Sequence, residues 1–172
     1  MCQFKVADQI SGILKIGKVQ HRSAITDTEA LGQLLKYINQ NFGRGEVVVD
    51  YAVKILQHVF VRSGELRAAK WADIDFENRL WKYTPPKTKN QTALEHIVPL
   101  SDQVFSFFKD LYVITGQAEY CFTSMRNSQI VISDSTINKR LKQYGFENGE
   151  TTGHGFRATA RTLLDEVLKI SN

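Results

Sequence analysis

Two short segments, far apart in the chain, carry the side chains best suited to chemistry. One is Arg62-Ser63-Gly64-Glu65-Leu66 and the other is His154-Gly155-Phe156-Arg157. A guanidinium grips phosphate oxygens through paired donors and keeps its charge at any physiological pH. Histidine can give or take a proton near neutrality. Two arginines, a histidine and a carboxylate that steadies one guanidinium therefore suit a phosphate-binding site. His154 and Arg157 stand at i, i+3, so on a helix they share a face about one turn apart. Arg62 closes a very apolar stretch, Gly64 permits a tight turn, and Glu65 can hold the guanidinium in place. Each segment also has a plainer reading: a capping histidine with a surface arginine, and a helix terminus with a surface ion pair. Neither segment decides the matter alone.

Helices must position these side chains. Thr26-Asp27-Thr28-Glu29 has the pattern of a capping box, and Ala30, Leu31, Leu34, Leu35 and Ile38 follow at helical spacing until 41–45 ends the run. From Glu46 to Phe60 apolar residues surround the helix almost completely, which predicts the centre of the core. Ser63 can cap a short helix reaching Ala69. Asp73–Asp75, Leu80–Thr84 and Glu95–Val98 then read as a three-stranded meander, with turns at Asn78 and over Lys87–Thr92. Ser101 caps a further helix whose face of Val104, Phe105, Phe107, Phe108 and Leu111 packs inward until Gly116. Tyr120–Ser124 reads as a brief extended piece. A helix from Ser133 or Asp134 through Tyr144 carries Lys139, Arg140 and Lys142, and Gly145 stops it. The last helix runs from Gly153 to about Leu168. Residues 1–22 read as a linker or the end of a preceding domain, a short helix plus a connecting strand. The whole is mainly α with a small three-stranded antiparallel β-sheet, an α+β fold.

Composition narrows the classes. The 172 residues are 42% hydrophobic, enough for one core, and 22 basic against 18 acidic residues leave a formal charge of +4. That bias favours a polyanionic partner without naming it. Cys2 and Cys121 form no CxxC pair, so neither a disulfide framework nor a thiolate metal site is indicated. No His-x-x-x-His or carboxylate arrangement points to a metal, and no cofactor is expected. The apolar runs are too short to span a membrane.

Five blocks occur in order: Val61-Arg62-Ser63-Gly64-Glu65-Leu66-Arg67, then Trp71-Ala72-Asp73-Ile74-Asp75, then Thr88-Lys89-Asn90, then His96-Ile97-Val98-Pro99-Leu100-Ser101, then Thr152-Gly153-His154-Gly155-Phe156-Arg157-Ala158-Thr159-Ala160-Arg161-Thr162. This set resembles the catalytic domain of the tyrosine recombinases, specifically the prophage-type integrases, from about His21 to the last residue. The resemblance implies a catalytic domain over 23–172 and a reaction in which a tyrosine attacks a DNA phosphodiester. The enzyme becomes linked to the 3′ phosphate and a 5′ hydroxyl leaves, with neither metal nor nucleotide cofactor. Strand exchange then reverses the step.

Carried over by motif, Arg62 and Arg157 clamp the oxygens of the scissile phosphate, and Glu65 buttresses the first arginine. Lys89 matches the lysine that protonates the leaving oxygen, with Lys87 as its competitor. His154 assists proton transfer at the nucleophile or binds the phosphate. His96 has a structural reading first, as a strand residue, although it matches a common family residue. Lys87, Lys139, Arg140 and Lys142 are expected to contact DNA. The implied partners are double-stranded DNA and further integrase protomers, four on the DNA, in the cytoplasm of a bacterial cell.

The end of the sequence departs from the pattern. The family places a further His or Trp and then the nucleophilic tyrosine after the second arginine motif, whereas Tyr37, Tyr51, Tyr83, Tyr112, Tyr120 and Tyr144 all precede His154. These six read as core or interface aromatics. The expectation is therefore a catalytic domain lacking its nucleophile segment, with an apolar face of Leu163, Leu164, Val167, Leu168 and Ile170 left open. The alternative is a non-catalytic DNA-binding or accessory remnant of an integrase, working through Lys139, Arg140 and Lys142. A metal-independent phosphoesterase acting through His154 would need no tyrosine at all.

Overall fold

A computed structural model describes residues 25, 27–43, 46–85, 94–144, 153 and 155–166. The segment 1–22, the second meander turn with Lys87 and Lys89, Gly145 and His154 lie outside the described residues.

Helix α1, Thr28–Gln40, starts one residue later than the capping-box pattern implies. Asp27 is its N-cap, with carboxylate oxygens accepting from Glu29 N at 3.1 Å and Ala30 N at 3.4 Å. Its Leu34 and Ile38 are buried against α2, Val47–Val59. α2 is helical despite its opening run of three valines, because burial of Val48, Val49, Ala52, Val53, Ile55, Leu56 and Val59 outweighs a weak local preference. One polar residue, Asp50, is buried among them. The helix ends at Phe60, which adopts the left-handed conformation with φ 52°. Val61 then turns into the core, and α3, Ser63–Arg67, follows.

A 3-10 turn at Trp71–Asp73 leads into an antiparallel sheet of β1 Ile74–Asp75, β2 Leu80–Tyr83 and β3 His96–Pro99, in the order β1-β2-β3. Trp81 pairs with Ile74 on one side and Val98 on the other, so three inward residues stand in one row. In the first turn Asn78 donates its backbone N–H to Asp75 Oδ1 at 2.9 Å, while the left-handed residue is Arg79. Helix α4, Asp102–Thr115, is capped by Ser101 and buries Val104, Phe108 and Leu111.

A two-stranded ribbon, β4 Thr123–Ser124 with β5 Asn127–Val131, stands where the sequence predicts only an extended piece at Tyr120–Ser124. β5 is exposed along nearly its whole length and shows no apolar alternation, so it left no sequence signal. Helix α5, Asp134–Gln143, packs on α2 and α3, and α6, Gly155–Glu166, packs on α2. Leu163 and Leu164 of α6 line an apolar groove of about 310 Å³ with Leu31, Leu35, Phe60 and Phe156. Val167, Leu168 and Ile170 lie outside the described residues. Among the described residues no helix is long and apolar enough to cross a membrane.

Candidate functional site

The end of α2 delivers the first arginine. Phe60 breaks the helix, Val61 anchors the chain in the core, and the extended Arg62 immediately precedes α3. Glu65, one turn on, folds back. Its Oε2 accepts from the Arg62 backbone N–H at 2.9 Å, and its Oε1 accepts from Arg62 Nη1 at 2.6 Å. The carboxylate is buried and the guanidinium is open: the side chains are 8% and 51% exposed respectively. Glu65 thus grips one edge of the guanidinium while much of Arg62 faces solvent. That polarity suits a group meant to meet an incoming anion.

A third partner completes the arrangement. The Tyr83 hydroxyl, at the end of β2, donates to Glu65 Oε2 at 3.1 Å. Burial alone would push the Glu65 carboxyl up, but the hydrogen bonds from Arg62 and Tyr83 win and hold it below its ordinary range. Tyr83 itself is driven well above the ordinary tyrosine range, first by burial and then by the Glu65 charge, while Arg157 and Arg62 hold that rise back. Both arginine charges therefore act on one hydroxyl. Arg157 stands exposed in the first turn of α6, where the backbone N–H groups also favour negative charge.

Tyr83 escaped the sequence reading because its partner is 18 positions away on another element. In the sheet it pairs with His96, across β2 and β3. His96 is exposed and packs edge-on against the Tyr83 ring, with centroids 5.3 Å apart, which fits a structural part.

The basic trio of α5 divides. Lys139 and Lys142 are exposed, as a DNA-contacting helix requires. Arg140 differs from that expectation and points inward. Its Nε donates to Asp50 Oδ1 at 2.6 Å, its Nη2 to Asp50 Oδ2 and to the Asn41 carbonyl, both at 3.2 Å, and its Nη1 to Gln143 Oε1 at 3.1 Å. The Arg140 side chain is 11% exposed and that of Asp50 is fully buried. A guanidinium so committed has little left for a phosphate.

Five of the six tyrosines, Tyr51, Tyr83, Tyr112, Tyr120 and Tyr144, have ring or hydrogen-bond partners within the domain. Tyr144 donates to Asp50 Oδ1 at 3.0 Å, and burial with the Asp50 charge pushes its pKa up to about 12. Tyr51 packs edge-on against Phe42, Tyr112 packs against Trp71 and Phe76, and the Tyr120 ring lies beneath Lys70 Nζ. Tyr37 is exposed on α1. Lys89, Lys87 and His154 lie outside the described residues, so the described part of the site is Arg62, Glu65, Tyr83 and Arg157. Among the described residues no group of three or more His, Cys, Asp or Glu side chains is placed to hold a metal ion.

Residues 25–171 match the phage integrase family. The chain is 34% identical over 175 residues to the integrase of Enterobacteria phage P4, a match covering 93% of this chain and 38% of that protein. It is 29% identical over 177 residues to the putative protein IntB of Escherichia coli strain K12, covering 96% of this chain and 44% of that one. With the integrase of Shigella phage Sf6 it shares 33% identity over 123 residues, 71% of this chain and 31% of the relative. The chain thus spans less than half the length of each of these relatives.

Solved recombinase structures share the fold. The Tn1549 transposon integrase in complex with transposon right end DNA superposes with a TM-score of 0.64 at 18% identity, over 95% of this chain and 59% of that one. XerA recombinase does so with a TM-score of 0.62 at 17% identity, over 88% and 53%. The mostly helical architecture with its small antiparallel sheet is the one these recombinases carry. With a family match that takes in all the described residues, the chain belongs to the phage integrase family, and its fold is that of a tyrosine recombinase catalytic domain.

Proposed function

We propose that this chain serves site-specific DNA recombination and integration as the catalytic portion of a prophage-type integrase. The observation that carries this reading is the Arg62–Glu65 pair, a guanidinium held from behind by a buried carboxylate and open in front, with Arg157 exposed in the first turn of α6. In this role Arg62 and Arg157 bind the non-bridging oxygens of a scissile DNA phosphate and neutralise the charge that builds on them in the transition state. A tyrosine oxygen forms the new bond to phosphorus, the bond to the 5′ oxygen breaks, and that oxygen leaves as a hydroxyl after taking a proton. Lys89 supplies the proton, with Lys87 as the competing donor, and His154 handles the proton of the nucleophile or binds the phosphate. Glu65 is a positioning residue.

The nucleophile is assigned to none of the six tyrosines of the sequence. Tyr83 and Tyr144 are held as neutral donors to carboxylates, with their pKa values raised, which is the opposite of an activated phenol. On this reading the nucleophile is a tyrosine other than these six, and the domain works on double-stranded DNA, in an assembly of protomers, in the bacterial cytoplasm. Linker residues 1–22 and catalytic residues 23–172 remain the working division.

The test is incubation of the chain, and of a version extended in frame at its C-terminal end, with a nicked suicide duplex, followed by a denaturing gel. A covalent adduct in the extended version alone is the expected result. Adduct from the short chain would overturn the placement of the nucleophile. Adduct from neither favours the second reading, a non-catalytic DNA-binding module that uses the exposed Lys139 and Lys142. In that case alanine at those lysines weakens DNA binding while Arg62→Ala does not.

A further inference from the structure

The two arginines sit on separate elements, α3's leading turn and α6, and something must set the distance between their backbones. We propose that α5 is that bracket and that Asn138 and Gly153 are positioning residues for the arginine clamp. The proposal rests on the reading of Arg62 and Arg157 as a phosphate clamp.

The bracket is fixed at three points. Arg140 ties it to α2 through a two-pronged pair with the buried Asp50, reinforced by the Tyr144 hydroxyl on the same carboxylate. A forked guanidinium–carboxylate pair fixes angle as well as distance, so α5 is held against both sliding and rolling on α2. On the side of the first arginine, Arg67 of α3 donates its Nε to the Ile132 carbonyl at 2.7 Å, just ahead of α5. On the side of the second, Asn138 Oδ1 accepts the Gly153 backbone N–H at 3.0 Å.

Gly153 is where the two sides meet. It is buried, and a Cβ on it would lie 3.1 Å from Ser63 Cβ, 3.2 Å from Leu56 Cδ2 and 3.4 Å from Ile137 Cγ2. Ser63 follows Arg62, Leu56 belongs to α2, and Ile137 precedes Asn138. The Gly153 backbone is thus wedged among the first-arginine turn, the central helix and the bracket, and a side chain there would have to push its neighbours apart by a few tenths of an ångström. α6 starts two residues later and brings Arg157 with it. Asn138 completes the seating by taking the one backbone donor that Gly153 presents to α5. Long side chains adjust by rotation, but the bases from which two guanidinium groups reach one phosphate need fixed spacing.

A double-mutant cycle tests this. Affinity for a short mixed-sequence DNA duplex is measured by fluorescence anisotropy at two salt concentrations for the parent chain, Arg62→Ala, Arg157→Ala, Asn138→Ala, Gly153→Ala and each of the last two combined with Arg157→Ala. Thermal unfolding is followed in parallel, so that every titration is run well below the melting point of its variant. Asn138→Ala is expected to weaken binding roughly fivefold, the worth of about one hydrogen bond, and to have little effect once Arg157 is already alanine. Gly153→Ala should behave alike with a larger loss. Equal losses with and without Arg157, or no loss from Asn138→Ala, would overturn the positioning role while leaving the clamp standing. If Arg62→Ala and Arg157→Ala themselves leave affinity unchanged, the clamp falls and the positioning role with it.

Discussion

Two arginine–carboxylate pairs of this domain use the same chemistry to opposite ends. At Asp50–Arg140 the carboxylate is fully buried and the guanidinium nearly so, spreading its donors over a carboxylate, a carbonyl and a glutamine, with its Cζ 4.7 Å from the centre of the Tyr144 ring. At Glu65–Arg62 only the carboxylate is buried, and half of the arginine side chain stays in solvent. The first pair locks a helix to the core. The second holds out a charge on a stiff base. Burial of the base partner is common to both, so what separates anchor from site is the exposure of the guanidinium.

The largest effect should come from breaking the anchor. Asp50→Ala leaves the Arg140 charge nearly buried without its carboxylate, and an uncompensated charge of this kind costs about 3–5 kcal/mol. Urea unfolding of the variant would read that loss. A change below about 1 kcal/mol would mean that Arg140 finds water instead, and the contrast between the pairs would collapse.

Removing the second guanidinium should act on binding instead. Arg62→Ala is expected to lower duplex affinity roughly tenfold or more, as for lost hydrogen bonds to a charged group, and to reduce the steepness of its salt dependence by about 0.9. The unfolding midpoint should fall less than for Asp50→Ala, because the Glu65 carboxylate keeps the backbone N–H of residue 62 and the Tyr83 hydroxyl. If stability falls as far as it does for Asp50→Ala, Arg62 is an anchor too.

A finer test removes one oxygen. Tyr83→Phe keeps the ring stacked on Trp81, 4.5 Å away, and deletes the hydroxyl that Glu65 accepts. A loss of about 1 kcal/mol is expected near neutrality. Because the folded state holds Glu65 below its ordinary range, its contribution is full above the ordinary carboxylate pKa and disappears as pH falls through the lowered value. Without Tyr83 the lowered value lies closer to the ordinary one, so that loss should be smaller and complete at higher pH, which a series of acid unfolding curves would reveal. An unchanged acid limb would remove Tyr83 from the network.

The smallest effects belong to the exposed α5 lysines. Lys139→Ala and Lys142→Ala should each alter stability by no more than about 0.5 kcal/mol. Each should flatten the salt dependence of duplex binding only if α5 faces DNA, and that measurement separates the two lysines from their neighbour Arg140.

The helices were legible because their faces are periodic. Leu34 and Ile38 of α1, or Val104, Phe108 and Leu111 of α4, announce a buried stripe at a spacing that only a helix satisfies. Asp27 and Ser101 marked their helix starts through side-chain acceptors, with the first cap one residue later than the capping-box pattern proposed. β5 was not legible, because an exposed ribbon strand has no apolar alternation to display. At the site, Arg62 and Glu65 could be paired from their i, i+3 spacing, a local relation. Tyr83 could not be added, nor Asp50 matched to Arg140 across 90 positions, because those contacts depend on which surfaces meet.

By itself, then, the sequence determined the local matters: helix spans, the order of five motifs, the family they belong to, and the residue types able to grip a phosphate. Tertiary structure decided which of several equivalent charges would be free to do so. Arg62 and Arg140 are the same side chain, one just beyond an apolar helix and the other inside a polar one, and nothing local says which of them packing will bury. Packing α5 against Asp50 buried one of them, and ending α2 at Phe60 left the other at the surface, since exposure is a property of surfaces brought together from distant parts of the chain.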